Sequence, residues 1–288
     1  MHYLIPVDAQ PHSQRSIELA QKVFAVAGHE VTLLHVIPPP QPSELLADAT
    51  GTMEETYLEE TAARRQALLE GIAKPLEQAG AKVNIEIIPG FPAATIKTIQ
   101  AAESVPITIL SPAQHTAAEL MVEGSMTQQL LRFDYTGTLV RARELTKEAK
   151  ELSAVFLFDK HEDLRTIEKM AGVLNPAMKI LAVSPDPTAM FTIPPPGGQT
   201  STAVAAEVKP EQLLKQAAEE FKRFGRECEQ MVLQTRFKDW LTAYMRNSDV
   251  GMLVIAREAN AQETRSAFGT PHEEIFLKAP CPTALCNS

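Results

Sequence analysis

Two short steps in this 288-residue chain carry the residue types that anion chemistry uses: Gly124-Ser125 and Gly269-Thr270, each ahead of an apolar-periodic helix pattern. A helix N-terminus presents unpaired N–H groups and the positive end of the helix dipole. A glycine followed by a hydroxyl residue there either caps the helix or receives an anion. Other chemistries lack their residues. The seven histidines, His2, His12, His29, His35, His115, His161 and His272, form no H-E-x-x-H pair and no Cys/His spacing that would build a metal site. There is no G-x-S-x-G elbow, no G-x-x-x-x-G-K-[ST] loop and no G-x-G-x-x-G fingerprint. Glu54-Glu55 and Glu59-Glu60 precede Arg64-Arg65 in a helix-forming stretch, which reads as a solvated, salt-bridged face rather than an acid/base pair. No residue is nominated as a nucleophile, a catalytic acid or base, or a metal ligand.

The elements that must position the two steps read as βα units. Short apolar runs ending in polar or turn residues alternate with longer helical patterns, the signature of a mostly parallel sheet. The pattern predicts strands at 3–8, 30–36, 82–88, 106–110 and 136–142. Helices are expected at 13–27, 54–80 and 93–103 and from Gly124-Ser125 onward, with Pro11, His12 and Ser13 as a cap for the first.

The series then begins again. Residues 154–159 repeat 3–8 at an offset of 151, and 180–183 before Ser-Pro-Asp-Pro repeat 33–36 before Ile-Pro-Pro-Pro at 147. Gly269-Thr270 repeats Gly124-Ser125 at 145, and the strand at 281–286 repeats the one at 136–141. An internal duplication is the economical account, with domains at 1–146 and 147–288. The proline-rich stretch 185–208 and its shorter counterpart 37–52 read as surface loops on the strand side where α/β sheets bind ligands.

The ordered set resembles the universal stress protein family. It comprises a first strand ending Val-Asp, a second ending Leu-Leu-His-Val before prolines, and a Gly-Ser or Gly-Thr step leading through a helix to a Pro-Cys-Pro strand, closest at 268–282. The resemblance implies two universal stress protein-like domains in tandem, each a five-stranded parallel Rossmann-like α/β fold of the adenine-nucleotide-binding type, paired through their last strands. Further homodimer association is also implied. By the same resemblance, Asp8 and Asp159 are the ribose contacts, Val36 and Val183 end the second strands beside an adenine ring, and Gly124, Ser125, Gly269 and Thr270 hold phosphate. ATP or another adenine nucleotide is the implied ligand. Members that bind ATP carry Gly-x2-Gly-x9-Gly-Ser/Thr. Here the first two glycines are Ser111 and Gln114 in one half and Ala256 and Ala259 in the other. A side chain where close phosphate approach or φ > 0 is needed blocks that approach, so weakened or absent ATP binding is expected. Arg257 and Arg265 flank the second altered loop as substitute charge. The resulting expectation is a stress-response and regulatory module, not an enzyme; the alternatives are a slow ATPase and a binding module for another small nucleotide-like ligand.

Composition bounds the rest. Glycine is scarce, 13 of 288 residues, about 4.5% against an average near 7%. Net charge is −9, with no basic stripe for a phosphate backbone, so nucleic acid is not an expected partner. Three cysteines, Cys228, Cys281 and Cys286, contain no C-x-x-C pair and read as reduced thiols of a cytoplasmic protein. The opening residues are acidic by Asp8 and lack a basic n-region, so no signal peptide is expected. No apolar run approaches the roughly 20 residues of a membrane span.

Overall fold

A computed structural model describes residues 1–8, 13–39, 53–102, 106–111, 126–132, 137–145, 151–186, 209–257 and 271–287. The chain divides into two compact units, Met1–Arg143 and Glu144–Ser288.

The first unit runs β1 (His2–Pro6), α1 (Ser13–Val23), β2 (Glu30–Ile37), α2 (Met53–Gln78), β3 (Lys82–Pro89), α3 (Pro92–Ala102), β4 (Ile107–Leu110), α4 (Met126–Arg132) and β5 (Thr138–Arg141). Its strands are parallel in the order β3-β2-β1-β4-β5. In the second unit, β6 (Ser153–Leu157) leads through a 3-10 turn (His161–Leu164) into α5 (Arg165–Met170) and β7 (Lys179–Pro185). Then follow α6 (Pro210–Arg223), β8 (Cys228–Leu233), α7 (Phe237–Tyr244), β9 (Val250–Arg257), α8 (Pro271–Lys278) and β10 (Thr283–Asn287). Its order, β8-β7-β6-β9-β10, is the same arrangement, again all parallel. The α/β class with parallel sheets is what the sequence pattern predicts.

Strands covered on both faces read as unbroken apolar runs, and every residue of β4, β5, β6 and β9 is buried. Helices present one stripe to them. Ile17, Leu19, Ala20 and Val23 of α1, and Leu213, Leu214, Ala217 and Phe221 of α6, are the buried positions at helical spacing. Phe221 meets Phe156 of β6 edge-on, with ring centroids 4.9 Å apart.

Of the glycines with a left-handed backbone, two correspond between the units. Gly80 (φ +86°) and Gly225 (φ +66°) end α2 and α6. In each case the residue after the glycine donates its N–H five residues back, Ala81 to Leu76 O and Arg226 to Phe221 O, while the glycine N–H bonds three back. This is the Schellman closure, which needs a left-handed residue at that position. Gly251 has another reason. It lies where the β6–β9 register shifts, and a Cβ there would stand 3.0 Å from Leu152 Cβ, so it marks a bulge packed closely under neighbouring side chains.

Several boundaries differ from expectation. β1 and β6 end two residues before Asp8 and Asp159, although Val7 and Phe158 extend the ladder through N–H bonds to Leu34 O and Val183 O. α1 stops at Val23 rather than 27, and α2 runs through Pro75. β7 continues to Pro185, which places Val183 two residues inside the strand, opposite Leu157. That position corresponds to Leu34 and not to Val36, because the spacing between the first and second strands differs by two residues between the units. The carbonyl of Val183 is committed to the ladder and is not offered at a strand end.

Candidate functional site

In an open parallel sheet, ligands sit outside the carboxyl ends of the strands where the strand order reverses. The reversal lies between β1 and β4 in the first unit and between β6 and β9 in the second. The residues around those two crevices are therefore the ones to compare.

In the first unit the crevice is lined by small hydroxyls. Asp8, exposed just past β1, accepts from the Ser13 hydroxyl at 2.5 Å, and its backbone N–H reaches the Ser13 oxygen at 3.2 Å. Ser13 opens α1, so the pairing ties the strand-to-helix turn to the helix start. Ser16, one turn later, meets Ser111 oxygen to oxygen at 2.6 Å, both buried. Ser111 is the residue where the phosphate-loop pattern wants its first glycine. Its hydroxyl binds α1 to the end of β4. His35, on β2, donates through Nδ1 to the Val7 carbonyl at 2.8 Å and is nearly buried, which fixes the tautomer and spans the ends of β1 and β2. Val36 lies beside it, half-buried and opposite Ile88.

The corresponding place in the second unit is built from charges. Asp159 follows Phe158 as Asp8 follows Val7, but its carboxylate is held by His272 Nε2, 2.9 Å away on the first turn of α8. Asp163, in the 3-10 turn, is buried to 1% exposure and accepts the backbone N–H groups of Asp159 (2.7 Å) and Lys160 (3.1 Å) on Oδ2. Burial pushes the Asp163 carboxyl up from the ordinary range. The two backbone bonds oppose that rise, the charge of Asp159 adds to it, and His272 pulls the other way. Arg257, the last residue of β9, lies 3.7 Å from Glu273 of α8, and both side chains are almost wholly buried. Arg257, expected to supply charge beside the second altered loop, is the last residue of β9 and stands in an ion pair with Glu273.

Asp8, Val36, Ser111, Asp159, Val183, Ala256 and Arg257 fall within the described residues. Gly124, Ser125, Gly269, Thr270, Gln114, Ala259 and Arg265 lie outside them, as do most of the loops 37–52 and 185–208. Sequence reasoning did not single out Ser16, Asp163 or Glu273. Their one available signal is position: each falls where a strand-to-helix turn meets a helix start.

A cavity of about 670 Å³ opens at the other end of the second sheet, lined by Glu151, Lys179, Glu229, Tyr244 and Asp249 among others. Its Lys179–Glu151 pair, at 2.5 Å, is mostly exposed, the kind that contributes little, so the crevices remain the better candidate. Among the described residues no group of three His, Cys, Asp or Glu side chains is placed to hold a metal ion, and no helix is long and apolar enough to cross a membrane.

Residues 1–132 match the model of the universal stress protein family. The chain is similar over 99% of its length to a universal stress protein from Archaeoglobus fulgidus DSM 4304, at 15% identity, 96% coverage of that chain and a TM-score of 0.63. It is also similar, over 99% of its length, to a functionally unknown protein from Pseudomonas aeruginosa PAO1, at 12% identity, 92% coverage of that chain and a TM-score of 0.50. At these identities the structural likeness shows the fold. A comparison with curated proteins finds no match.

Proposed function

We propose that the whole chain is a tandem universal stress protein, a cytoplasmic and non-enzymatic stress-response module whose first unit retains an altered, weakened site for an adenine nucleotide. The observation that carries this reading is the β1/β4 crevice. It lies at the topological switch point of the unit that matches the family model, with Asp8, His35 and Val36 gathered at the strand ends. Asp8 is the residue assigned to the ribose, and the hydroxyls of Ser13 and Ser16 border the same turn.

The weakening has a physical cause on the β4 side. A glycine at position 111 would leave backbone free to approach a phosphate, whereas Ser111 places a side chain there and binds it to Ser16.

Calorimetric titration with ATP tests the reading, joined to mass spectrometry of whatever small molecule accompanies the purified protein. Weak, saturable binding that Asp8→Ala reduces is the expected result. Affinity unchanged by Asp8→Ala overturns the ribose assignment, and no adenine nucleotide bound or copurified overturns the nucleotide reading.

A further inference from the structure

We propose that the second unit fills its own crevice. Side chains of Asp159, Asp163, His272, Arg257 and Glu273 occupy the polar positions that a phosphorylated ligand would use, so binding of such a ligand is confined to the first unit. The proposal takes from the preceding section only the location of a nucleotide-type crevice.

The two units can be compared atom for atom because their ladders correspond: Val7 N–H to Leu34 O in one, Phe158 N–H to Val183 O in the other. The next residue is Asp8 or Asp159. In the first unit the N–H of Asp8 meets a neutral hydroxyl, Ser13. In the second, the N–H groups of Asp159 and Lys160 both point at the carboxylate of Asp163. Successive backbone N–H groups at such a turn are what receives an anion, and here an internal carboxylate already has them. The ribose-type acid is taken as well, since Asp159 is bonded to His272. The positive charge at the end of β9 is buried 3.7 Å from the Glu273 carboxylate.

Asp163 adds one more observation: its Oδ1 is buried and has no hydrogen-bond partner among the described residues. That oxygen is shut away from solvent, at a residue only 1% exposed.

The test is an assigned amide spectrum of the full chain at neutral pH, titrated with ATP as the probe, with hydrogen exchange measured on the free protein. Expected are saturable shifts at Val7, Asp8 and Ser111 and none at Asp159, Lys160 or Arg257. Saturable shifts at Asp159 and Lys160 overturn the proposal. If ATP moves neither set, the nucleotide reading of the first unit fails, and exchange alone decides on the second. The Asp159 and Lys160 amides should then be protected at least about tenfold in the wild type, as bonds to a carboxylate imply. Asp163→Ala should remove that protection while the amides of Val155 and Phe156 stay unchanged. Unprotected Asp159 and Lys160 amides in the wild type refute the closure, even if the variant does not fold.

Discussion

Breaking the Arg257–Glu273 pair should destabilise the second unit far more than removing the pair altogether. The side chains are 7% and 5% exposed and 3.7 Å apart. At an effective dielectric near 20 the attraction is 332/(20 × 3.7), about 4 kcal/mol. Taking both charges out of water costs a similar amount, so the pair as a whole is close to neutral. Removal of one partner takes this attraction away from the other buried charge, at a cost of up to about 3–5 kcal/mol. Arg257→Met and Glu273→Met should each lose that much, whereas the double variant should lie within about 1 kcal/mol of the wild type or above it. The assay is urea unfolding followed by tryptophan fluorescence. Trp240 is the chain's one tryptophan, and it lies on α7 of the second unit, stacked on Tyr244 at 4.9 Å, so it reports that unit. Single variants costing less than about 1 kcal/mol, or a double variant as costly as the sum of the singles, would refute the reasoning by showing the charges to be solvated.

Burial raises the Asp163 pKa, so its contribution is fully present below the unfolded value and lost as pH rises through the folded one. Asp163→Asn should therefore gain stability relative to wild type as pH rises above the ordinary aspartate range, read as the difference between the two unfolding curves; a difference flat with pH contradicts the shift. Burial pushes the Cys228 thiol up to about 11, which leaves roughly 0.1% thiolate at pH 8. Alkylation at that pH should be more than tenfold slower than for a free thiol, and a rate equal to that of the unfolded chain would disprove the burial. Tyr3 is fully buried with no hydrogen-bond partner for its hydroxyl among the described residues. Tyr3→Phe should leave the first unit as stable or about 1 kcal/mol more so, and a loss above that in calorimetric unfolding would reveal a bond to that hydroxyl. Gly80→Ala and Gly225→Ala should each cost about 1–2 kcal/mol in the same measurement, since both positions need a left-handed backbone.

Much of the fold was legible because buried parallel strands leave a plain mark: 30–36 and 106–110 are apolar runs between turn residues. β9 has the clearest run of all, Val250–Arg257, buried throughout. The Gly80/Gly225 pair recurs at the same offset of 145 as the Gly-Ser and Gly-Thr steps. A cap glycine looks like any other until its hydrogen bonds are seen. The site was less legible. Asp8 and Asp159 were visible as strand-end acids, but nothing in the order of residues shows that Asp159 bonds a histidine 113 positions away. The choice of Val183 failed for a nameable reason: matching Leu-Ala-Val to Leu-His-Val ignores the two-residue shift that the ladder reveals.

The exchange of Ser13 for Asp163 at the same turn has a consequence for how the two copies can diverge. A ligand crevice is a patch of local frustration, where polar groups wait for a partner that is absent most of the time. On the proposal made above, the carboxylates that satisfy the β6 turn and the end of β9 from within turn such a patch into cohesion of the fold, and substitutions there would register in folding rather than in affinity.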